Sequence, residues 1–407
     1  MRMHSLDELL PLDHRARIVW KYVESLDLEP LYAKFKAVQG TEGRPAIAPE
    51  ILLGLWLLAV IESISSAREL ARRCTRDLPY MWICGDVSVN YHTLSDFRSN
   101  NAEFFEKVMV DTVTAMLNSG LITLETVGHD GMRVRANAGS SSFRREPTLK
   151  ELHQQAQEAV DRMLEDDDDD DDSNTSAGSR AARERAIMER ESRIAESLRQ
   201  VEELRDQKEK RKKGDGEKAR CSTTDPDARK MKMGDGGTRP AYNFQLTTDA
   251  QSRMVVGVDV LNSGSDRGKL GPVHDELQRR YGRSPLFSLV DSAFATKADV
   301  TKLEKEYGTE VVSTVYGADS MSRRGKNPYE RQRGDTDEYA SFRQRMARED
   351  YREFYKQRPS IAEYPNAEFR NRGCQLLLVR GLQKVRSVAL LFAAGFNLLR
   401  MISLRAI

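Results

Sequence analysis

Cysteine is scarce: four in 407 residues, at positions 74, 84, 221 and 374, with no Cys-x-x-Cys pair among them. That pattern excludes a zinc ribbon and a disulfide framework, and the four read as reduced thiols of a cytoplasmic protein. Histidine is nearly as rare, with six residues and no His-Glu-x-x-His or other metal-spaced pair. Long hydrophobic runs are missing as well. The longest strongly apolar stretch, Ile51 to Ile61, is about half of the roughly 20 residues that a bilayer-spanning helix needs. Residues 1–15 carry Asp7, Glu8 and Asp13 in place of a basic segment followed by an apolar one, so neither a membrane segment nor an export signal is expected.

Net charge is almost absent, with 64 Lys+Arg against 63 Asp+Glu, which excludes an acidic solvating chain. The charges are unevenly spread, however. Residues 1–125 hold 13 basic and 17 acidic side chains, whereas residues 321–407 hold 18 basic and 9 acidic. The C-terminal fifth is therefore the expected polyanion-facing surface. Only 39% of residues are hydrophobic, and the length suits two or three domains with modest cores.

Residues 1–125 read as helical. Pro49-Glu50 opens a buried helix through ILLGLWLLAVIES, Ser65 and Ser66 cap ARELARRC, and further helices run from Thr93 and from Glu103 to Leu117. The polar segment Tyr91, His92, Thr93, Ser95, Arg98 fits either a helix-turn-helix or the capped start of a helix in a docking bundle. At Thr126 the pattern turns to alternation, in TVGHDGMRVRANA, as a strand pair or one bent strand. Residues 146–218 differ in composition. Two helical arms flank seven consecutive aspartates, Asp166 to Asp172, which predicts an inserted helical hairpin with a disordered acidic tip.

Beyond it, AYNFQLTTDA and RMVVGVDVLN form a β-hairpin, and helices at 270–281 and 296–307 alternate with strands at 285–291 and 310–314. Gly234 to Gly237 is turn chemistry. Residues 317–340 read as a mobile loop, and the last segment reads as a helix with Arg and Lys on its polar face. The order predicts a mixed α/β sheet with helices on its faces. Domains are expected at 1–125, at 126–145 together with 219–407, and at 146–218.

Two aspartates stand out by position: Asp130 on or just after the first strand, and Asp291 at the end of a later buried strand. Carboxylates from two strand ends that converge repel each other unless a cation lies between them, and hard oxygen donors of that kind suit Mg²⁺. Position alone leaves open that each aspartate caps the turn or helix that follows. His129, one residue before Asp130, should face the other side of its strand.

Five blocks carry a family resemblance: HDGMRVRANAGSSSFRR (129–145), STTDPDARKMKMGDGGTRPAYNFQLTTDA (222–250), LVDSAFATKADV (289–300), RPSIAEYPNAEFRNRG (358–373) and VRGLQKVRSVALLFAAGFNLLRM (379–401). Together they resemble bacterial insertion-sequence transposases of the Asp-Asp-Glu class. RPAIAPEILLGLWLLA and YHTLSDFR resemble the helical N-terminal domain of those proteins. The resemblance implies an RNase H-like core with Asp130, Asp291 and Glu363 as catalytic, metal-binding acids. Tyr355, Arg358, Glu363 and Arg370 match a Tyr-x2-Arg…Glu-x6-Lys/Arg pattern. The family more often has Lys at the place of Arg370, and Pro365 follows Glu363 closely, so Glu368 is the alternative third acid.

Two Mg²⁺ (or Mn²⁺) ions are implied, as are DNA contacts from Tyr355, Arg358, Arg370, Arg372, His92 and Arg98. The expected function is a DNA transposase that binds terminal inverted repeats, cleaves at their ends and joins them to target DNA, as a homodimer in the active complex. The alternative is a catalytically inactive DNA-binding relative acting in repression or end binding.

Overall fold

The computed structural model describes residues 5–34, 46–169 and 177–406. A six-stranded sheet is built from β1 (Thr126–Arg135), β2 (Arg229–Lys232), β3 (Thr238–Asp249), β4 (Val255–Leu261), β5 (Phe287–Val290) and β6 (Glu310–Val312). β3 pairs antiparallel with β1 on one edge and with β4 and β2 on the other, while β5 and β6 continue beyond β1 in parallel. The order β4-β3-β1-β5-β6 is the mixed, RNase H-like arrangement. The segment at Thr126 is one strand and not a strand pair, and Gly131 makes no turn in it. A Cβ at Gly131 would lie 2.8 Å from both Asp266 Oδ1 and Gln245 Nε2, so the glycine is there for close approach. The turn expected at Gly234 to Gly237 does join β2 to β3, with Gly236 at φ +82°.

The helix Pro49–Ile61 is apolar nearly all round, and it is buried against the C-terminal helix Leu382–Ser403. Gly395 permits that contact, since a Cβ there would stand 2.6 Å from Val60 Cγ1. The C-terminal helix is long and apolar enough to cross a membrane, yet 78% of its apolar window is buried inside the protein. Its Asn397 amide donates to the Val255 carbonyl at 2.7 Å and accepts from the Val255 N–H at 2.8 Å, which fastens the helix to β4. One apolar cluster therefore runs unbroken through the N-terminal helices, one face of the sheet and this helix. A second cluster, with Leu289, Phe294, Phe342 and Ile361, covers β5 and β6.

Between β1 and β2 the chain forms a helical hairpin, Glu146–Asp169 and Ala177–Arg211. Arg205 pairs with Glu146 at 2.6 Å and His153 with Glu191 at 3.1 Å, around a small core of Leu149, Val201, Ala219 and Cys221. The first arm stays helical through Asp169, so the acidic run is in part helical; residues 170–176 of the expected disordered tip lie outside the described residues. Residues 317–340 depart from the loop reading. They contain the helix Ala318–Arg323 and the start of Asp337–Ala347, and Asp335 is buried between Arg343 at 2.8 Å and Lys297 at 2.7 Å. Glycine and charge in that stretch hid an ordered ion pair.

Two buried histidines make the fold sensitive to acid. Burial pushes His129 down to about 4 and His274 down to about 3. Both stay neutral when folded but protonate in the unfolded chain below the ordinary value of 6.5. Stability is thus full above that pH and falls as the pH drops toward 4, by about 1.4 kcal/mol per unit for each histidine. Melting temperatures measured from pH 7 to pH 4 should fall, and His274→Gln should remove roughly half of that slope.

Candidate active site

β1 and β5 run side by side in parallel, and their last registered pair is His129 with Val290. The next residues are Asp130 and Asp291, so the two aspartates take equivalent positions on neighbouring strands about 4.8 Å apart, Asp130 within β1 and Asp291 just past the end of β5. Asp291 is exposed at the strand end, where its Oδ1 accepts the Ser292 N–H at 2.6 Å. Asp130 is largely buried, and burial pushes its carboxyl up to about 6 against the pull of Arg358. Alternation sends His129 through the opposite face, where its ring meets Thr247 and Gln245, each at 2.9 Å.

Glu363 arrives from a distant segment. The π-helical turn Pro359–Glu363 leads into the helix Tyr364–Asn371, with Glu363 at the junction and half-exposed. Gly128 brings that turn against β1, because a Cβ there would lie 2.7 Å from Ile361 Cγ2 and 3.0 Å from the Ala362 backbone nitrogen. Arg358 then spans the gap. One guanidinium nitrogen is 3.3 Å from Asp130 Oδ1 and the other is 2.8 Å from Glu363 Oε1. Burial raises the Tyr355 hydroxyl above its ordinary range, Arg358 opposes this, and Asp291 and Glu363 add to it. Tyr355 thus lies within the electrostatic reach of Asp291, Arg358 and Glu363.

Other residues singled out in the sequence sit elsewhere. Arg98 is only 4% exposed, so the expected DNA contact is corrected: it donates to the Ser65 carbonyl and lies over the Trp56 ring at 4.7 Å. His92 is exposed, and its ring lies against that of Tyr91 at a tilt of 33°. Arg372 is held by the Ile61 carbonyl at 2.6 Å and by Glu368 at 2.9 Å. Glu368, the alternative third acid, is thereby committed to the arginine that caps its helix. Arg370 is exposed and makes no side-chain hydrogen bond or ion pair among the described residues.

Sequence reading missed Asn366, which is 3% exposed and donates from Nδ2 to Asp130 Oδ2 at 2.9 Å. Its place three residues after Glu363 puts both on one helical face, and that spacing is the signal that was available.

Among the described residues, no group of three or more His, Cys, Asp or Glu stands close enough to hold a metal ion. A guanidinium stands between two of the three acids. In kind the donors fit a hard divalent cation, since all are carboxylate oxygens and Arg358 only partly offsets the cost of burying most of Asp130.

Comparison with known families gives two matches. A family described as Transposase domain (DUF772) matches residues 4–100, and one described as Transposase DDE domain matches residues 204–398. The second covers Asp291 and Glu363, while Asp130 lies between the two matched segments. No curated protein and no solved structure matches the chain. With a helical N-terminal transposase region leading into an RNase H-like sheet, the chain belongs to the insertion-sequence transposases of the Asp-Asp-Glu class.

Proposed function

We propose that the protein binds the terminal inverted repeats of its element as double-stranded DNA, cleaves at their ends and joins the freed 3′-hydroxyls to target DNA. Asp130, Asp291 and Glu363 are the acids that would hold two divalent ions, Mg²⁺ or Mn²⁺. The observation that carries this reading is the β1–β5 register, which brings Asp130 and Asp291 to equivalent strand positions with Glu363 tied to Asp130 through Arg358. When bound, such an ion pair stabilises both the attacking and the leaving oxygen of an in-line displacement at phosphorus.

The remaining work falls to the chain's own groups. Arg358 presents a planar fork suited to a phosphate. Tyr355 lies beside it as a half-buried ring that can orient the backbone. Asn366 holds the Asp130 carboxyl in place. Residues 1–125, with exposed His92, would contribute to end recognition, 126–145 with 219–407 would form the catalytic unit, and 146–218 the inserted hairpin. Two element ends must be handled together, so the active complex would be a homodimer.

The test is incubation with Mg²⁺ and a fragment carrying the element's end. A nick that exposes a 3′-hydroxyl at the terminus, followed by a joined product, is expected. Cleavage without joining would leave a plain nuclease, and binding without cleavage would leave a DNA-binding relative.

Charge in the C-terminal fifth is less available than its total suggests, because Arg343, Arg345, Arg372 and Arg386 are each paired with a carboxylate. Arg370 has no such partner among the described residues and can meet phosphate. Arg370→Ala should therefore flatten the dependence of log K on log salt by about 0.9 for duplex DNA. Arg372→Ala should leave that slope unchanged and lower the melting temperature instead.

A further inference from the structure

Arg358 occupies the position in which a cation is most needed, and it does so with unfinished hydrogen bonding. Its two terminal nitrogens face two different acids, Asp130 and Glu363, at 3.3 and 2.8 Å. The other oxygen of Asp130 accepts from Asn366 at 2.9 Å, so both oxygens of this carboxylate already face protein donors. The residue is 9% exposed, and its Nε is buried with no hydrogen-bond partner among the described residues. A buried guanidinium with one idle donor is an arrangement that a better anion can improve on. Phosphate is such an anion, since it accepts from the fork bidentately.

We propose that Arg358 is the resident counter-ion of the acid cluster, and that the cluster admits a divalent ion only once a DNA phosphate has drawn the guanidinium off Asp130 and Glu363. The proposal rests on the reading of Asp130 and Glu363 as metal ligands. Like charges cannot share the space between the two carboxylates, so the guanidinium and a divalent ion compete for it. A phosphate engaged by Arg358 removes the competitor and supplies further oxygen at the same place. DNA and metal then bind cooperatively, and by linkage each tightens the other by the same factor. Free protein stays poorly loaded with metal until DNA is seated.

Mn²⁺ binding followed by electron paramagnetic resonance on the full chain tests this without reference to turnover. Wild-type protein alone should bind Mn²⁺ weakly, and a short duplex of arbitrary sequence should tighten binding by about tenfold or more, the worth of a charge-assisted contact. Arg358→Gln should bind Mn²⁺ without DNA about as tightly as wild type does with it, and the duplex should then add little. The wild-type comparison needs no variant and keeps the proposal open to refutation if Arg358→Gln fails to fold. No effect of the duplex on wild type overturns it. Equal affinity of wild type and Arg358→Gln, with binding lost on Asp130→Asn, overturns the counter-ion role and leaves the ligand assignment standing. Tight binding by Arg358→Gln that survives a second change, Asp130→Asn, overturns the ligand assignment and the proposal together.

Discussion

Asp130→Asn is expected to lower the rate of DNA cleavage by at least about a thousandfold, or roughly 4 kcal/mol of transition-state stabilisation. The substitution keeps the size of the side chain and its contact with Asn366 while removing the charge that would hold a metal ion. Stability should move the other way or not at all. Burial raises this carboxyl to about 6, which marks its ionised form as unfavourable in the folded protein. A neutral amide relieves that penalty, so the variant should melt at the same temperature as wild type or higher. DNA binding should persist, since affinity comes mainly from basic contacts to phosphate. Cleavage assays, melting curves and salt-dependent binding on one preparation check all three. Undiminished cleavage would remove Asp130 from the reaction.

Gly128→Val should have the largest effect of any change away from the acids. Even the first carbon of a side chain would meet Ile361 Cγ2 at 2.7 Å and the backbone of Ala362 at 3.0 Å. The backbone contact cannot rotate away, so the Pro359–Glu363 turn must lift from β1. Overpacking of this kind costs about 1–3 kcal/mol. Glu363 and Arg358 flank the displaced turn, and a shift of about 1 Å in a catalytic group can lower the rate on the order of a hundredfold. The expected variant is folded, melts lower and cleaves poorly. Gly128→Ala should show the same pattern in weaker form, and an unchanged melting curve for Gly128→Val would show that the turn has room to yield.

Much of this arrangement was legible because it follows from local pattern. The alternation through Thr126 to Ala136 placed Asp130 on a strand and His129 on the opposite face, and the apolar run before Asp291 marked a strand end. The third acid needed the family resemblance, since nothing around Glu363 except a nearby proline signals its place. What stayed hidden depends on partners far along the chain. Arg98 looks the same in sequence whether it meets solvent or a tryptophan, and its burial is decided by Trp56 and Ser65 on other segments. Asn366 takes its meaning from an oxygen 236 residues away. The ordered ion pair around Asp335 was masked by glycine and charge, which resemble a loop in composition whether or not the charges find each other.

The C-terminal helix bears on how the protein becomes folded at all. Arg372, shortly before it, bonds to the carbonyl of Ile61, 311 residues earlier, and Ser387 within it bonds to that of Arg98, 289 residues earlier. Contacts of such separation require large loops to close before they repay the entropy lost, and they slow folding. During synthesis, at about 5–20 residues per second, the helix Pro49–Ile61 must wait with its apolar surface uncovered while the sheet and the hairpin emerge. Nascent chains stopped before Leu382 should therefore be caught by chaperones or aggregate, and the N-terminal helices should become resistant to protease only after the final helix has been made.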